Sequence, residues 1–280
     1  MAGSSPISFE FFPPKTAEGR ERLLEKTTPR LQKLQPDYFS VTYGAGGSTR
    51  NNTLEVVTAL ARGGHDVAPH LSFGTDDNAA ITALLDSYRE LGVTRIVALR
   101  GDMPSGVGGG RLVYASELVS FIREHSGDHF HIEVAAYPEI HPQAESYDKD
   151  IEHLKNKLDA GANGAITQYF YNVESYFYFL DRCAAIGINK PIVAGIMPIT
   201  NYENLARFSR NCGADIPRWI SKRLEGYAGC RESETQFGIE VVTQLCQTLL
   251  DNGAPGIHFY SMNQAEPVTT ICRQLNLPAN

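Results

Sequence analysis

Short runs of β-branched and aromatic residues recur along the chain, and a helix-like stretch follows most of them. We predict strands at eight such runs, residues 7–11, 38–42, 68–71, 95–99, 132–136, 164–168, 191–196 and 256–260. Most runs are spaced by about 30 residues, which is the usual length of a β/α unit. The last interval is about twice as long and leaves room for an extra helix.

The stretches between these runs carry apolar residues at helical spacing. We predict helices at residues 18–35, 78–91, 148–160 and 240–250 from this periodicity. Glycines lie at or just past the expected helix ends, where a left-handed residue is needed. They are Gly63, Gly92, Gly161, Gly187 and Gly213.

This alternation of strand and helix predicts an α/β fold with parallel strands. Eight units predict a closed (β/α)8 TIM barrel, with residues 1–280 forming a single catalytic domain. The alternative is an open doubly wound sheet, which predicts a Gly-rich dinucleotide turn after one strand. Residues 44–49 come nearest to that motif, but Thr49 stands where its third glycine belongs, and no phosphate-binding P-loop is present.

Composition and net charge argue against several classes of binding partner. The 280-residue chain has a formal net charge of −7, which argues against a nucleic-acid-binding role. No apolar run approaches the ~20 residues that a membrane span needs, and the N-terminus does not resemble a signal peptide. Five cysteines without a C-x-x-C pair are typical of reduced cytoplasmic thiols, and no ligand spacing suggests a metal site.

In a barrel of this type, active-site groups lie at the C-terminal ends of the strands. Alternation along the first strand points Ser8 and Glu10 into the barrel, opposite to Phe9 and Phe11. A carboxylate there is costly unless it is paired or functional. Glu10 is therefore either a buried ion-pair partner or a general acid whose pKa is raised by burial.

Polar groups follow most of the other strands as well. Arg100 and Asp102 flank a glycine after the fourth strand, and this pair suits a phosphate or the polar edge of a cofactor, or simply stabilises the loop. Tyr137 and His141 follow the fifth strand, and Gln168 follows the sixth. These residues alone indicate a barrel enzyme that binds planar, polar heterocycles.

Motifs at these strand ends resemble those of bacterial 5,10-methylenetetrahydrofolate reductases, a flavin-dependent family. The resemblance is collinear and spans nearly the whole chain. It is carried by SFEFFPPK (8–15), VTYGA (41–45), APHL (68–71), LRGD (99–102), AYPE (136–139) with HP (141–142), DAGAN (159–163), ITQ (166–168), GIMP (195–198) and HFY (258–260).

The resemblance implies a tightly bound FAD that NADH or NADPH reduces before the folate binds over the same flavin face, in a ping-pong mechanism. The product would be 5-methyltetrahydrofolate, which feeds methionine synthesis in one-carbon metabolism. By analogy, Glu10 protonates N10 of the folate, and Asp102 tunes the flavin and favours the cationic iminium. The family also suggests a cytoplasmic homo-oligomer that acts on CH–NH donors.

The resemblance further assigns binding residues. Substrate contacts are expected at Gln168, Phe208, Thr42, Asn204 and Gln264, although a helix-core position is a strong alternative for Phe208. Cofactor contacts are expected at Tyr43, Ala45, His70, Arg100, Gly101, Asp102, Tyr114, Ala115, Tyr137, His141, Asp150, His153, Asn156 and Lys157.

Some positions depart from the family pattern. His153 and Asn156 stand where relatives often carry Asn and Arg, which removes one cationic contact to the FAD phosphates. Gln264 stands where relatives can have Arg. We expect no C-terminal regulatory domain and no inhibition by S-adenosylmethionine. Two other functions stay open, a flavin-free pterin-binding barrel methyltransferase and a non-catalytic binding module.

Overall fold

Eight parallel strands close into a barrel in the computed structural model, which describes residues 6–43, 47–73, 77–100, 114–227 and 229–277. Neighbouring strands are consecutive in the chain, and the last pairs with the first, Ile7 opposite Ile257. The predicted (β/α)8 barrel is confirmed, and the open doubly wound sheet is wrong. The strands are β1 (Ile7–Phe11), β2 (Tyr38–Val41), β3 (Val67–Leu71), β4 (Arg95–Ala98), β5 (His131–Ala136), β6 (Gly164–Thr167), β7 (Ile192–Ile196) and β8 (Ile257–Tyr260).

Helices surround the barrel in the order that the alternating pattern predicts. A π-helical turn, Leu23–Thr27, lies between the first two. The helices are α1 (Ala17–Arg22), α2 (Thr28–Gln32), α3 (Gly47–Arg62), α4 (Asn78–Glu90), α5 (Ala115–Ser126), α6 (Tyr147–Asp159), α7 (Val173–Ala185), α8 (Tyr202–Cys212), α9 (Arg218–Glu225), α10 (Arg231–Asp251) and α11 (Glu266–Gln274).

The predicted helices differ from the observed ones in four places, and one of them is α10, which was predicted over 240–250 but begins nine residues earlier at Arg231. Residues 18–35 form two short helices joined by the π-turn, because an irregular hydrogen-bond pattern interrupts the predicted single helix. Three helices, α8, α9 and α10, fill the long interval before β8, where we expected one extra. At the end of α3, Gly63 still donates to Ala59 O (3.0 Å), so Gly64, with φ of 81°, takes the left-handed position instead.

The two faces of each strand have different surroundings. Phe9, Phe11 and Phe39 face the helices and are fully buried, and the Phe11 and Phe39 rings stack at 5.0 Å. The opposite face points into the barrel, where a small apolar cluster fills one side. That cluster consists of Tyr38, Ala68, Val97 and Ile166, with Leu99 packed against it.

The described part of the chain lacks disulfides, membrane-spanning helices and groups of metal ligands. All five cysteines are free thiols, and Cys183, Cys246 and Cys272 are buried. Among the described residues, the helices are too short or too polar to cross a bilayer. Those residues also bring no three His, Cys, Asp or Glu side chains together as metal ligands.

Gly195 on β7 allows the barrel interior to close. A Cβ atom there would lie 2.0 Å from Thr167 O and 2.8 Å from the Tyr260 ring. We therefore expect Gly195→Ala to lower the free energy of unfolding by about 1–3 kcal/mol, because the strand and the ring must shift. Urea unfolding followed by circular dichroism measures this change.

Gly226→Ala is the matched control, since its Cβ would meet nothing closer than Arg223 O at 3.3 Å. Its effect should stay within about 0.5 kcal/mol. Equal stabilities of the Gly195 and Gly226 variants would contradict the close packing described for β7.

Candidate active site

The predicted acid, Glu10, lies inside the barrel near the C-terminal end of β1. Its side chain is buried, with the residue 5% exposed. In the strand register it stands opposite Ser40 of β2 and Tyr260 of β8. The inward orientation that alternation predicted is therefore confirmed.

Two histidines surround the Glu10 carboxylate. Glu10 Oε2 lies 3.2 Å from Nε2 of His70 on β3 and 3.6 Å from Nε2 of His258 on β8. Both histidines are buried. The structure thus places two histidines where an ion pair with Glu10 needs them, and the carboxylate lies near the end of the barrel where barrel enzymes bind their substrates.

The orientation of the His258 ring is fixed from its other side. Its Nδ1 lies 2.7 Å from Ser8 Oγ, and its Nε2 lies 3.4 Å from Ser40 Oγ. The ring also stacks on Tyr38, with centroids 6.1 Å apart. Because these contacts leave little rotational freedom, Nε2 is held toward Glu10.

These histidines overturn the expectation of a raised pKa. Burial alone raises the pKa of Glu10, but the charge and hydrogen bonds of His70 and His258 outweigh it and lower the pKa to about 2. The prediction from sequence was wrong because it counted desolvation without the counter-charges. Glu10 is ionised at neutral pH in the ligand-free barrel.

Two predicted substrate residues directly follow strands, so both lie at the C-terminal end of the barrel. Thr42 follows β2, and its N–H donates to Phe11 O (2.9 Å). Gln168 follows β6, and its N–H donates to Ala136 O (2.7 Å) while its Oε1 accepts from the Tyr169 N–H (3.0 Å). These bonds extend the sheet ladder and so fix both residues at the mouth of the barrel.

A second group of predicted residues lies between β5 and α6. His141 N–H donates to Asp150 Oδ2 (2.7 Å), and the His141 ring meets Tyr137 edge to face at 4.6 Å. Arg100 hydrogen-bonds Gln143, which ties the end of β4 to this loop. Helix α6 is held at its start by Ser146, whose side chain accepts from Lys149 N–H.

Lys157, in the last turn of α6, reaches back to the strand. Its Nζ donates to Ala135 O (2.5 Å). Burial lowers its pKa to about 8, with Asp150 opposing the shift and Arg100 adding to it. Lys157 is thus a largely protonated ammonium beside another cation, a combination that suits an anionic ligand.

The start of α5 brings an aromatic pair to the same side. Tyr114, which precedes α5 and is half exposed, stacks on His153 of α6 with centroids 6.2 Å apart and planes 13° apart. Ala115 is the first residue of α5, and Asn156 lies exposed on α6 one position before Lys157. The pair offers an open platform for a flat ring.

The other predicted residues lie on α8, after β2 and β8, or outside the described residues. Phe208 on α8 is 37% exposed, with Arg207 over its ring at 5.5 Å, so the helix-core alternative is wrong. Asn204 accepts from Arg207 (3.0 Å), and Gln264 is exposed after β8. Tyr43 is half buried after β2. Ala45, Gly101 and Asp102 lie outside the described residues.

Sequence reasoning missed the polar residues deeper in the barrel. His258 was visible only as the first residue of the HFY motif, and Ser8 only as an inward neighbour of Glu10. Tyr38, whose hydroxyl donates to Glu133 Oε2 (2.6 Å), gave no signal at all. Strand alternation places each residue on the inner face, but only the closed register shows that they meet.

The lowered pKa of Glu10 predicts how acid affects stability. A carboxylate with a depressed folded pKa stabilises the fold above its unfolded pKa, and this contribution is lost as pH falls toward the folded value. The shift of the Glu10 pKa from 4.5 to about 2 corresponds to about 3 kcal/mol in the free energy of unfolding. Urea unfolding at a series of pH values should therefore show that Glu10→Gln loses less stability than the wild type between about pH 5 and pH 2.

Tyr176→Phe is the control, because it removes a buried hydroxyl outside the barrel interior, which donates to Ile192 O (2.7 Å), and no group that titrates in acid. Its stability should fall with pH in step with the wild type. Parallel curves for Glu10→Gln and the wild type would show that the histidines do not depress the Glu10 pKa.

Comparison with known proteins places the chain in a family. The family model of methylenetetrahydrofolate reductase matches residues 1–276. A 5,10-methylenetetrahydrofolate reductase of Pectobacterium carotovorum subsp. carotovorum is 40% identical over 278 residues, which cover 99% of this chain and 92% of the relative. The Escherichia coli K12 enzyme of that name is 39% identical, with coverage of 99% and 93%.

A plant relative matches over a smaller part of its own length. Methylenetetrahydrofolate reductase (NADH) 1 of Arabidopsis thaliana is 38% identical over 291 aligned positions, covering 98% of this chain and 49% of the relative.

Solved structures share the barrel at lower identity. A Clostridium thermocellum protein that binds two copies of 5-methyl-5,6,7,8-tetrahydrofolic acid superposes with a TM-score of 0.67 at 19% identity, covering 96% of this chain and 94% of that one. Dihydropteroate synthase of Thermus thermophilus gives 0.51 at 12% identity, with coverage of 97% and 93%. At these identities the likeness concerns the fold alone. The sequence matches go further, and by them this chain belongs to the methylenetetrahydrofolate reductase family of oxidoreductases.

Proposed function

We propose that the enzyme reduces 5,10-methylenetetrahydrofolate to 5-methyltetrahydrofolate, with bound FAD as the hydride carrier and NADH or NADPH as the reductant. The nicotinamide and the folate would occupy the same place in turn, which is a ping-pong mechanism. Family membership supports folate reduction. The observation that carries the chemistry is Glu10, a buried carboxylate at the barrel mouth with a histidine on either side.

The side chains between β4 and α6 fit a flavin dinucleotide. Lys157 and Arg100 form a cationic pair whose ammonium finds only a backbone oxygen among the described acceptors, which suits a diphosphate. The Tyr114–His153 platform suits an adenine ring. His70, whose Nε2 lies 3.2 Å from Glu10 Oε2, would contact the flavin at the mouth of the barrel.

We expect the remaining contacts to the cofactor from the residues that the family resemblance assigned. They include Tyr43, Ala45, Gly101, Asp102, Ala115, Tyr137, His141, Asp150 and Asn156. When bound, FAD would supply reversible hydride transfer between the nicotinamide and the folate.

Glu10 would act as the general acid at N10 of the folate. Protonation of N10 makes it a leaving group, so that the five-membered ring opens and leaves an iminium at N5 ready for hydride. The proton must first sit on Glu10. A planar ligand over the mouth excludes water, and in the drier site a neutral carboxylic acid beside a neutral imidazole is favoured over the ion pair.

Other side chains would orient the substrate. Gln168, fixed beyond β6, offers an amide to the polar edge of a pterin or a nicotinamide. Phe208 presents an exposed ring for stacking, while Thr42, Asn204 and Gln264 would contact the rest of the substrate. Asp102, two positions after Arg100 in the chain, would favour the cationic iminium through its charge.

Two half-reactions test this proposal. Protein saturated with FAD should show an absorbance band at about 450 nm, which bleaches when NADH or NADPH is added without oxygen and returns when the folate is added. We expect Glu10→Gln to keep flavin reduction within about threefold, since that step needs no proton from Glu10. Reoxidation by the folate should slow by about 100-fold or more.

Glu234→Gln is the matched control, because Glu234 is a buried carboxylate on α10 rather than on a barrel strand, and a Gln amide oxygen can still accept from Tyr202 N–H (3.2 Å) at the start of α8. Both of its half-reactions should match the wild type. Equal slowing of both half-reactions by Glu10→Gln would give Glu10 a structural role. A protein that never acquires the flavin band would favour the flavin-free methyltransferase instead.

A further inference from the structure

A column of polar side chains runs through the barrel below Glu10. It consists of Glu10, His258, Ser8, Tyr38 and Glu133, which are 5%, 0%, 4%, 4% and 6% exposed in that order. Barrel interiors are usually filled by branched apolar side chains. A second buried carboxylate, Glu133, is therefore a costly feature for packing alone.

The members of this column contact one another in sequence. His258 Nε2 lies 3.6 Å from Glu10 Oε2, and His258 Nδ1 lies 2.7 Å from Ser8 Oγ. Ser8 faces Tyr38 across the β1–β2 pair, and the Tyr38 hydroxyl donates to Glu133 Oε2 at 2.6 Å. The strand register places Ser8 directly opposite both Tyr38 and His258.

The lower end of the column approaches solvent. His131 lies on the inner face of β5 two residues before Glu133, is partly exposed and interacts electrostatically with it. Arg95, opposite His131 in the register, is also partly exposed and lies over the Tyr38 ring at 5.0 Å. Protons can therefore reach Glu133 at the end of the barrel opposite to the Glu10 mouth.

Apolar residues flank the column. Ala68, Val97 and Ile166 pack against the Tyr38 ring, so that side of the interior has no polar group to hold water. On that side, a proton that travels between the two carboxylates passes through the polar side chains of the column.

We propose that Glu133, Tyr38, Ser8 and His258 form a proton relay that reloads Glu10 from the opposite end of the barrel. The inference rests on the proposed function, in which Glu10 gives up one proton in each turnover. When ligands cover the mouth and keep water from Glu10, the relay replaces that proton through side chains alone.

The transfer balances without any added reagent. Protonated Glu133 donates to Tyr38, whose own hydroxyl proton passes to Ser8. The Ser8 proton passes to Nδ1 of His258, and the Nε2 proton of His258 passes to the Glu10 carboxylate. One proton enters at Glu133 and one arrives at Glu10, after which Tyr38 donates to Glu133 as the structure shows.

Tyr38→Phe removes the central hydroxyl with little change of shape. In the ligand-free protein it frees Ser8 to donate to Nδ1 of His258, so the fraction of His258 that carries its proton on Nδ1 should fall at least about twofold. The ¹⁵N shifts of the His258 ring, assigned with His258→Gln, measure this fraction and require neither cofactor nor substrate.

Proton uptake provides the second measurement. Enzyme with reduced FAD is mixed with the folate and an excess of NADH or NADPH in weak buffer that contains a pH indicator. In Tyr38→Phe the first turnover should stay within about threefold of the wild type, because Glu10 takes its first proton from the paired histidine when the ligands exclude water. Proton uptake and later turnovers should slow by about 10-fold or more. Glu133→Gln should slow uptake equally, yet keep the His258 tautomer, since its amide oxygen still accepts from Tyr38.

Tyr176→Phe is the matched control. Tyr176 is another fully buried tyrosine whose hydroxyl donates to a backbone oxygen, Ile192 O (2.7 Å), outside the barrel interior. It should leave the tautomer and proton uptake unchanged.

Three results would overturn the relay. The first is an unchanged His258 tautomer in Tyr38→Phe. The second is proton uptake in step with the first turnover in both relay variants. The third is equal slowing of first and later turnovers, which is a structural effect. A wild type without turnover would refute the proposed function instead, and the tautomer measurement would still decide whether the hydrogen-bonded path exists.

Discussion

A carboxylate inside an apolar barrel must find its counter-charges within the same barrel, and this requirement governs the position of Glu10. Its partners come from β3 and β8, at 3.2 Å and 3.6 Å. Strand β8 pairs with β1 only because the sheet closes. In an open sheet with the same elements, Glu10 would lose His258, and the desolvation cost of the carboxylate would stand largely uncompensated. Closure of the barrel and the chemistry of its mouth therefore depend on each other.

The same constraint divides the interior into two parts. One side is apolar and packs against Tyr38, while the other carries hydroxyl, imidazole and carboxyl groups that satisfy one another. Such a polar column is stable only if every member finds a partner, because a half-satisfied buried network costs more than an apolar core. Ser8 is one such member, since its hydroxyl lies 2.7 Å from His258 Nδ1 and the residue stands opposite Tyr38 in the strand register.

Strand positions could be predicted from sequence to within one residue at each end, because β-branched runs bounded by turn residues are a local signal. The inward direction of Glu10 followed from alternation, which is local as well. The sign of its pKa shift did not follow, because His70 and His258 lie 60 and 248 positions away along the chain, and only the register of a closed barrel brings them to Glu10. Tyr38 and Glu133 stayed hidden for the same reason, and the substrate residues on α8 were reached through family resemblance alone.

The cationic side chains and the Glu10 carboxylate lie in different parts of the barrel mouth, and this arrangement affects where each ligand would bind. Lys157 and Arg100 lie on the β4–α6 side, and the Lys157 ammonium is held by a backbone carbonyl rather than by a hydrogen-bonded carboxylate. Burial depresses its pKa to about 8, so its protonated form carries a desolvation cost that an anion would relieve. Glu10 lies beyond this group with its own charge already compensated by histidines. Under the proposed function, a ligand that carries phosphates and a flat ring would be drawn to the cationic side by electrostatics. The space over Glu10 would then be left to a substrate that needs a proton rather than a counter-charge.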